Sequence, residues 1–218
     1  MIDFQFLFDY RGLILEGLWN TVWICALGCV LAVAGGLVLA ALRLAWPRVV
    51  GWPVAAYVEL MRGTPLLVIL FLLYYGGPSL GLRLDAATAG LLGLGLYGAG
   101  YFAEIFRGGF QSIPKGQLEA ARILGISRAR CLVRIEIPQM LRLIVPPGSN
   151  QLVILVKESA LLSVISVNDL TKNATTIVNE SFVVVEPYLA VALLYWVIIE
   201  CIARSGYYLE RRLQPVGQ

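Results

Sequence analysis

Six charged residues, Glu59, Arg62, Glu104, Lys157, Glu158 and Glu200, stand inside long apolar runs of this sequence. A charge at mid-bilayer costs at least about 2.5–3.5 kcal/mol on insertion scales, so each needs a partner or a task. Pairing accounts for several: Glu59 and Arg62 are three residues apart, Glu104 lies near Arg107 and Arg43, and Glu200 precedes Arg204 by one turn. Lys157 and Glu158 are different. With Asn150 and Ile154 they fall on one helical face, a polar stripe on a hydrophobic helix that is expected to point into a cavity. Opposite it, Arg62-Gly63-Thr64-Pro65 should break a helix, because Pro65 has no N–H and crowds the preceding turn. Interrupted helices at membrane depth tend to line solute sites, where freed backbone groups supplement side chains. The chemistry on offer is recognition of a small polar solute by Arg62, Thr64, Asn150, Lys157, Glu158 and the neighbouring Ser159. Bonding between helices is the competing role for these residues, and for Glu59 it is the preferred one.

Covalent chemistry has no comparable support. The sequence has no HExxH, no GxSxG, no carboxylate pair on successive spans and no GxxxxGK[ST] loop to cradle phosphates. Histidine is absent, and Cys25 and Cys29 read as small packing residues, so no metal site is expected.

The surroundings explain why those charges are conspicuous. Of 218 residues, 59% are hydrophobic and only 14% charged, more apolar surface than a soluble domain of this size can bury, so lipid must serve as solvent. A formal net charge of +3 is too small and too dispersed for a nucleic-acid partner. Residues 1–218 read as a single membrane domain with spans at about 18–42, 54–75, 86–106, 147–167 and 187–203. The N-terminal MIDFQFLFDYRG is acidic and lacks the basic start of a cleaved signal, so the first span is expected to be retained. Basic residues orient the set. Arg43 and Arg48, the series from Arg107 to Arg142, and Arg204, Arg211 and Arg212 mark cytoplasmic segments. The opposite segments, with Asp3, Asp9, Glu16, Asp85, Asp169, Glu180 and Glu186, should face outward along with the N-terminus. Glycines 90, 93, 95, 98 and 100, with Gly35 and Gly36, suit close helix contacts in lipid; a pathway lining is the alternative.

One segment, Gly116 to Gln139, is neither lipid-like nor disordered. Leu118, Ala121, Ile123 and Leu124 recur at helical spacing, Gly125 supplies a stop, and Ser127 is placed to cap a second short helix. A helix, turn and helix at the cytoplasmic surface follows. On physical grounds alone this fits an interfacial amphipathic helix with its arginines toward anionic headgroups. The residues also carry a resemblance. Glu119-Ala120-Ala121, Gly125, Ile135 and Pro138 match the EAA pattern of binding-protein-dependent ABC importer permeases, with Ile137 in place of Leu as the one departure. Tyr57 to Leu67, Ala103 to Gln117, Asn150 to Thr171 and Gly17 to Thr21 extend the likeness to the polar amino acid uptake family.

That resemblance implies an all-α integral membrane chain of the type I ABC importer permease fold, five transmembrane helices with a cytoplasmic EAA coupling helix between spans three and four, in segment 115–138. It implies a permease subunit that translocates a polar amino acid across the bacterial inner membrane and is not itself an enzyme. Glu119, Ala120, Ala121, Arg122, Gly125 and Arg128 would couple it to the ATPase; for Arg122 and Arg128 a headgroup role stays open. Implied partners are two ABC ATPase subunits that bind ATP and Mg, a second or homologous permease copy, and an extracytoplasmic solute-binding protein. No cofactor is expected in this chain. A zwitterionic substrate needs partners of both signs, which Glu158 with Lys157 or Arg62 can supply. An ion-gradient-driven transporter or channel for a small polar solute is the rival, and it leaves the surface helix without a task.

Overall fold

The computed structural model describes residues 8–213. The acidic start of the chain, with Asp3, lies outside the described residues. Among those described, all regular structure is helical.

The longest helix, α1 (Arg11–Ala45), presents Gly28, Ala32, Gly36 and Ala40 at four-residue spacing on one buried stripe. Small residues at that spacing let a second backbone come close without any polar group being exposed to lipid. That second helix is α4 (Ala86–Gln111). A Cβ built on Gly98 would lie 2.5 Å from Cβ of Ala32 and 2.9 Å from Cδ1 of Leu155, so the three elements touch where only hydrogen fits. The glycines of this region are thus packing residues, as their spacing suggests. Asp85 starts α4: its carboxylate accepts from the Thr88 N–H at 3.0 Å and from the Thr88 hydroxyl at 2.6 Å. Those two bonds hold the Asp85 pKa below its ordinary value.

The expected second span is not one straight element. Helix α2 (Pro47–Gly63) ends at Thr64, whose backbone is extended (φ −106°, ψ 130°), and α3 (Leu66–Phe71) starts behind Pro65. Proline disfavours the α conformation in the residue before it, so the path turns by 106° between α2 and the segment Leu66–Leu80. A π-helical turn (Leu72–Gly76) and a 3-10 turn (Gly77–Leu80) complete that segment.

After α4 come two short helices, α5 (Lys115–Ile123) and α6 (Arg128–Cys131). A π-helical turn (Leu132–Glu136) joins α6 to α7 (Ile137–Glu158), which runs into a 3-10 turn (Ser159–Ile165). Helix α8 (Leu170–Ser181) then departs by 48°, and α9 (Val185–Leu213) closes the order. Segment 168–173 is fastened back to α1: Asn20 Nδ2 donates to the Asn168 carbonyl at 2.8 Å, the Leu170 N–H to Thr21 Oγ1 at 3.1 Å, and Asn173 Nδ2 to the Leu13 carbonyl at 2.7 Å.

Among the described residues, three helices, α1, α4 and α9, are each long and apolar enough to cross a bilayer, and the two bent pairs raise the number to as many as five. Helices α1 and α9 overrun the expected 18–42 and 187–203 at both ends, because Arg11, Glu16, Arg211 and Arg212 extend the helices with polar turns beyond the apolar stretch.

Candidate functional site

The break at Pro65 delivers Arg62 to the flank of α4. Gly100 makes room there, since a Cβ on it would lie 2.7 Å from Cβ of Met61. The Arg62 guanidinium then sits 5.7 Å from the centre of the Tyr101 ring, a cation–π contact. The expected ion pair with Glu59 does not form; the ring takes the guanidinium instead. The other two expected pairs do form, Glu104 with Arg107 and Glu200 with Arg204 at 2.7 Å.

Arg62, Tyr101, Glu104, Pro147, Asn150 and Gln151 border a cleft of about 320 Å³ between α2, α4 and α7. Helix α4 supplies Tyr101 and Glu104 to it, and the buried Tyr97, outside the lining, precedes them by four and seven residues on the same face. The Tyr97 and Tyr101 hydroxyls are 3.2 Å apart. From α7 comes Gln151, only 5% exposed, whose amide nitrogen has no protein partner. The Arg62 guanidinium borders the same cleft, and a positive, hydrogen-bond-donating group there suits a ligand with anionic or carbonyl oxygens. The volume of the cleft is at the lower end of small-molecule pockets.

The six residues expected to meet solute do not all meet each other. Arg62 and Asn150 enter the cleft. Thr64 stands half-buried at the break, its N–H bonded to the Leu60 carbonyl at 3.0 Å. Lys157 is exposed and Glu158 half-buried two turns further along α7, and Ser159 turns inward, its hydroxyl donating to the Val156 carbonyl at 2.8 Å. Tyr101 and Gln151 were not singled out by the sequence; the spacing of Tyr97, Tyr101 and Glu104 on α4 is a signal for Tyr101, and Gln151 on α7 has no such signal.

A second site lies at the α5–α6 turn. Ala121 is buried and anchors α5, while Glu119, Ala120 and Arg122 are exposed. Gly125 adopts φ +69°, and the Ile126 N–H reaches back to the Ala121 carbonyl at 2.9 Å, a reversal that a side chain would strain. At this turn Ile123 is 86% and Leu124 76% exposed, so two large apolar side chains stand bare on a helix end. Ser127 occupies the N-cap position of α6 in extended conformation, but its hydroxyl makes no capping bond. Arg128, the first residue of α6, bonds to Glu136 at 3.0 Å.

The family model for binding-protein-dependent transport system inner membrane components matches residues 32–215. The chain belongs to that family. Within it, the chain is 37% identical to the probable glutamine ABC transporter permease protein GlnM of Bacillus subtilis, over 98% of this chain and 99% of that one. It is 32% identical to the arginine transport system permease protein ArtQ of the same species, over 98% of each. The solved structure of an amino acid ABC transporter with histidines superposes with a TM-score of 0.90 at 35% identity, covering 97% of this chain and 99% of that chain. The MetNI methionine ABC transporter, at 18% identity and a TM-score of 0.77 over 93% of this chain and 97% of that one, shares the fold of this transport-system component.

Proposed function

We propose that this permease subunit carries a polar amino acid inward across the bacterial inner membrane, driven by ATP that a separate subunit hydrolyses. The observation that carries the reading is the pair of bare apolar side chains Ile123 and Leu124 on a helix end, in a chain with no phosphate-binding loop of its own. Apolar anchors on a surface turn that also carries exposed Glu119, Arg122 and Arg130 suit insertion into a groove of a partner protein, with the charges fixing register. The names of relatives that carry amino acids support the substrate class.

In this reading the chain is one membrane domain of five spans with its N-terminus outside, and α5 is the coupling helix. Two ATPase subunits hold ATP and Mg²⁺, a second permease copy completes the pathway, and a solute-binding protein delivers substrate to segments 76–85 and 168–186. The permease itself makes and breaks no covalent bond. Arg62, Asn150 and Gln151 take the carboxylate end of the solute, and Glu158 with Lys157 serves it further along α7.

The test is uptake of a mixture of radiolabelled L-amino acids into vesicles holding the permease, its ATPase and its receptor. Uptake should require hydrolysable ATP, and Arg62→Gln should lower it about tenfold, as expected when a charge-assisted contact to an anionic ligand is lost. Full uptake without nucleotide hydrolysis overturns the proposal and favours an ion-gradient mechanism.

A further inference from the structure

Glu136 carries a carboxyl group, yet it is only 4% exposed, at the junction of the π turn and α7. Its carboxylate accepts from Nη1 of Arg128 at 3.0 Å, and the Arg128 side chain is 57% exposed. The two residues are eight apart on one continuous helical rod, a separation that ordinary helix geometry does not favour. Eight residues of α-helix turn about 800°, which leaves two side chains about 80° apart around the axis. Seven residues turn about 700°, which brings them within about 20°. The π-helical turn Leu132–Glu136 lies within this interval and accommodates one extra residue, so Glu136 comes under Arg128 as a seventh residue would. The pair and the π turn depend on each other.

A second tie runs beside the first. Gln139 Nε2 donates to Gln117 Oε1 at 2.7 Å and to the Ile135 carbonyl at 2.9 Å, which joins α5 to the first turn of α7. The start of α5 and the start of α6 are therefore fastened to the root of α7, the helix that carries Asn150 and Gln151 past its midpoint and Glu158 at its far end.

We infer that Glu136 is a positioning residue for energy coupling: through Arg128 it makes the α5–α6 turn and α7 one rigid lever, so that force applied at Ile123 and Leu124 reaches the polar cleft. The inference rests on the ATP-driven transport proposed for this chain. It assigns Arg128 to an internal partner, where the sequence suggested contact with the ATPase or with lipid headgroups. A buried carboxylate left without its guanidinium is costly, so the pair holds its geometry where a surface pair would fray.

The measurement is solute carried per ATP hydrolysed, in vesicles containing the complete complex and the same radiolabelled amino acid mixture. Glu136→Gln should lower that ratio about tenfold, the scale of one charge-assisted bond, with ATPase affinity within twofold of the parent. Arg128→Gln, which leaves the buried Glu136 carboxylate unpaired, should lower it at least as far, and Arg128→Lys should restore most of it; Glu136→Gln, which leaves no buried charge, keeps the test independent of folding. Because the two residues act as one unit, the double variant should be no worse than either single one. A parental ratio in Arg128→Gln overturns the inference, as do effects that multiply in the double variant. Loss of ATPase capture in Arg128→Gln but not in Glu136→Gln also overturns it, since Arg128 then works on the partner. Uptake by the parent complex without ATP hydrolysis is a separate result, seen before any variant is made, and it removes the transport reading itself.

Discussion

Helices α4 and α9 are both long and apolar enough to cross a bilayer, and the most apolar stretch of α9 has the higher hydropathy. Yet 67% of the best membrane-spanning stretch of α4 is buried inside the protein, against 6% of that of α9. The difference lies in side-chain size. Six buried glycines and several alanines let α1, α2, α3 and α7 approach α4 closely, whereas α9 carries Leu193, Trp196 and Val197 outward and buries only Pro187. In lipid, apolarity gives no reason for one helix to join another; close van der Waals approach does, and small residues permit it. Hydropathy therefore states that a helix enters the membrane, and glycine spacing states that it enters the core.

The sharpest way to break that comparison is to place the same side chain in both helices. Gly98→Leu would drive new atoms into Ala32 and Leu155 and should destabilise the protein by about 3 kcal/mol, whereas Ala203→Leu on the exposed side of α9 should stay within about 0.5 kcal/mol. Thermal unfolding of the two variants in nanodiscs measures this, and equal shifts would mean that α9 is packed as tightly as α4.

Bare apolar surface can face lipid or a protein, and Ile123→Asp separates the α5 turn from α9 in this respect. It should weaken capture of the ATPase by about 2 kcal/mol in a pull-down titration, with no change in unfolding midpoint. Unaltered capture would place Ile123 with the lipid-facing residues of α9.

A smaller effect sharpens the account of α4. The Tyr57 hydroxyl of α2 donates to the Leu96 carbonyl at 2.6 Å, riveting α2 to α4 across the apolar layer. Tyr57→Phe should cost about 1 kcal/mol of stability, measured by the same unfolding assay.

The smallest concerns the start of α4. Asp85 has a lowered pKa when folded, so its cap is complete above the ordinary carboxylate range and is lost as pH falls through the lowered value. Amide exchange at Thr88 should thus accelerate only in strong acid, and Asp85→Asn, an equally good capping residue, should make that rate insensitive to carboxylate titration.

Much of this architecture was legible before any coordinates. Gly35 and Gly36 of α1 and the glycines 90–100 of α4 stand out by spacing alone as close-packing positions, and the structure adds Gly28, Ala32 and Ala40 to the α1 stripe. Equally legible are the stop at Gly125 and the break at Pro65, which arise from the backbone limits of single residue types. The polar cleft was only half legible. Arg62 and Asn150 stood out as charge and amide in apolar surroundings, but Tyr101 and Gln151 did not, because a tyrosine or glutamine in a membrane helix is unremarked until its neighbours are known.

By itself, then, the sequence determined the solvent, the long helices, the family and the segment that turns at the surface, since each depends on composition or on spacing along one chain. Only the tertiary structure decided that Arg62 meets Tyr101 and not Glu59, that Ser159 turns inward, and that Arg128 reaches Glu136 across a π turn. Those outcomes depend on the angle between α2 and α3, on one residue's worth of helical register and on how closely two backbones approach, quantities that are set by packing across residues far apart in the chain.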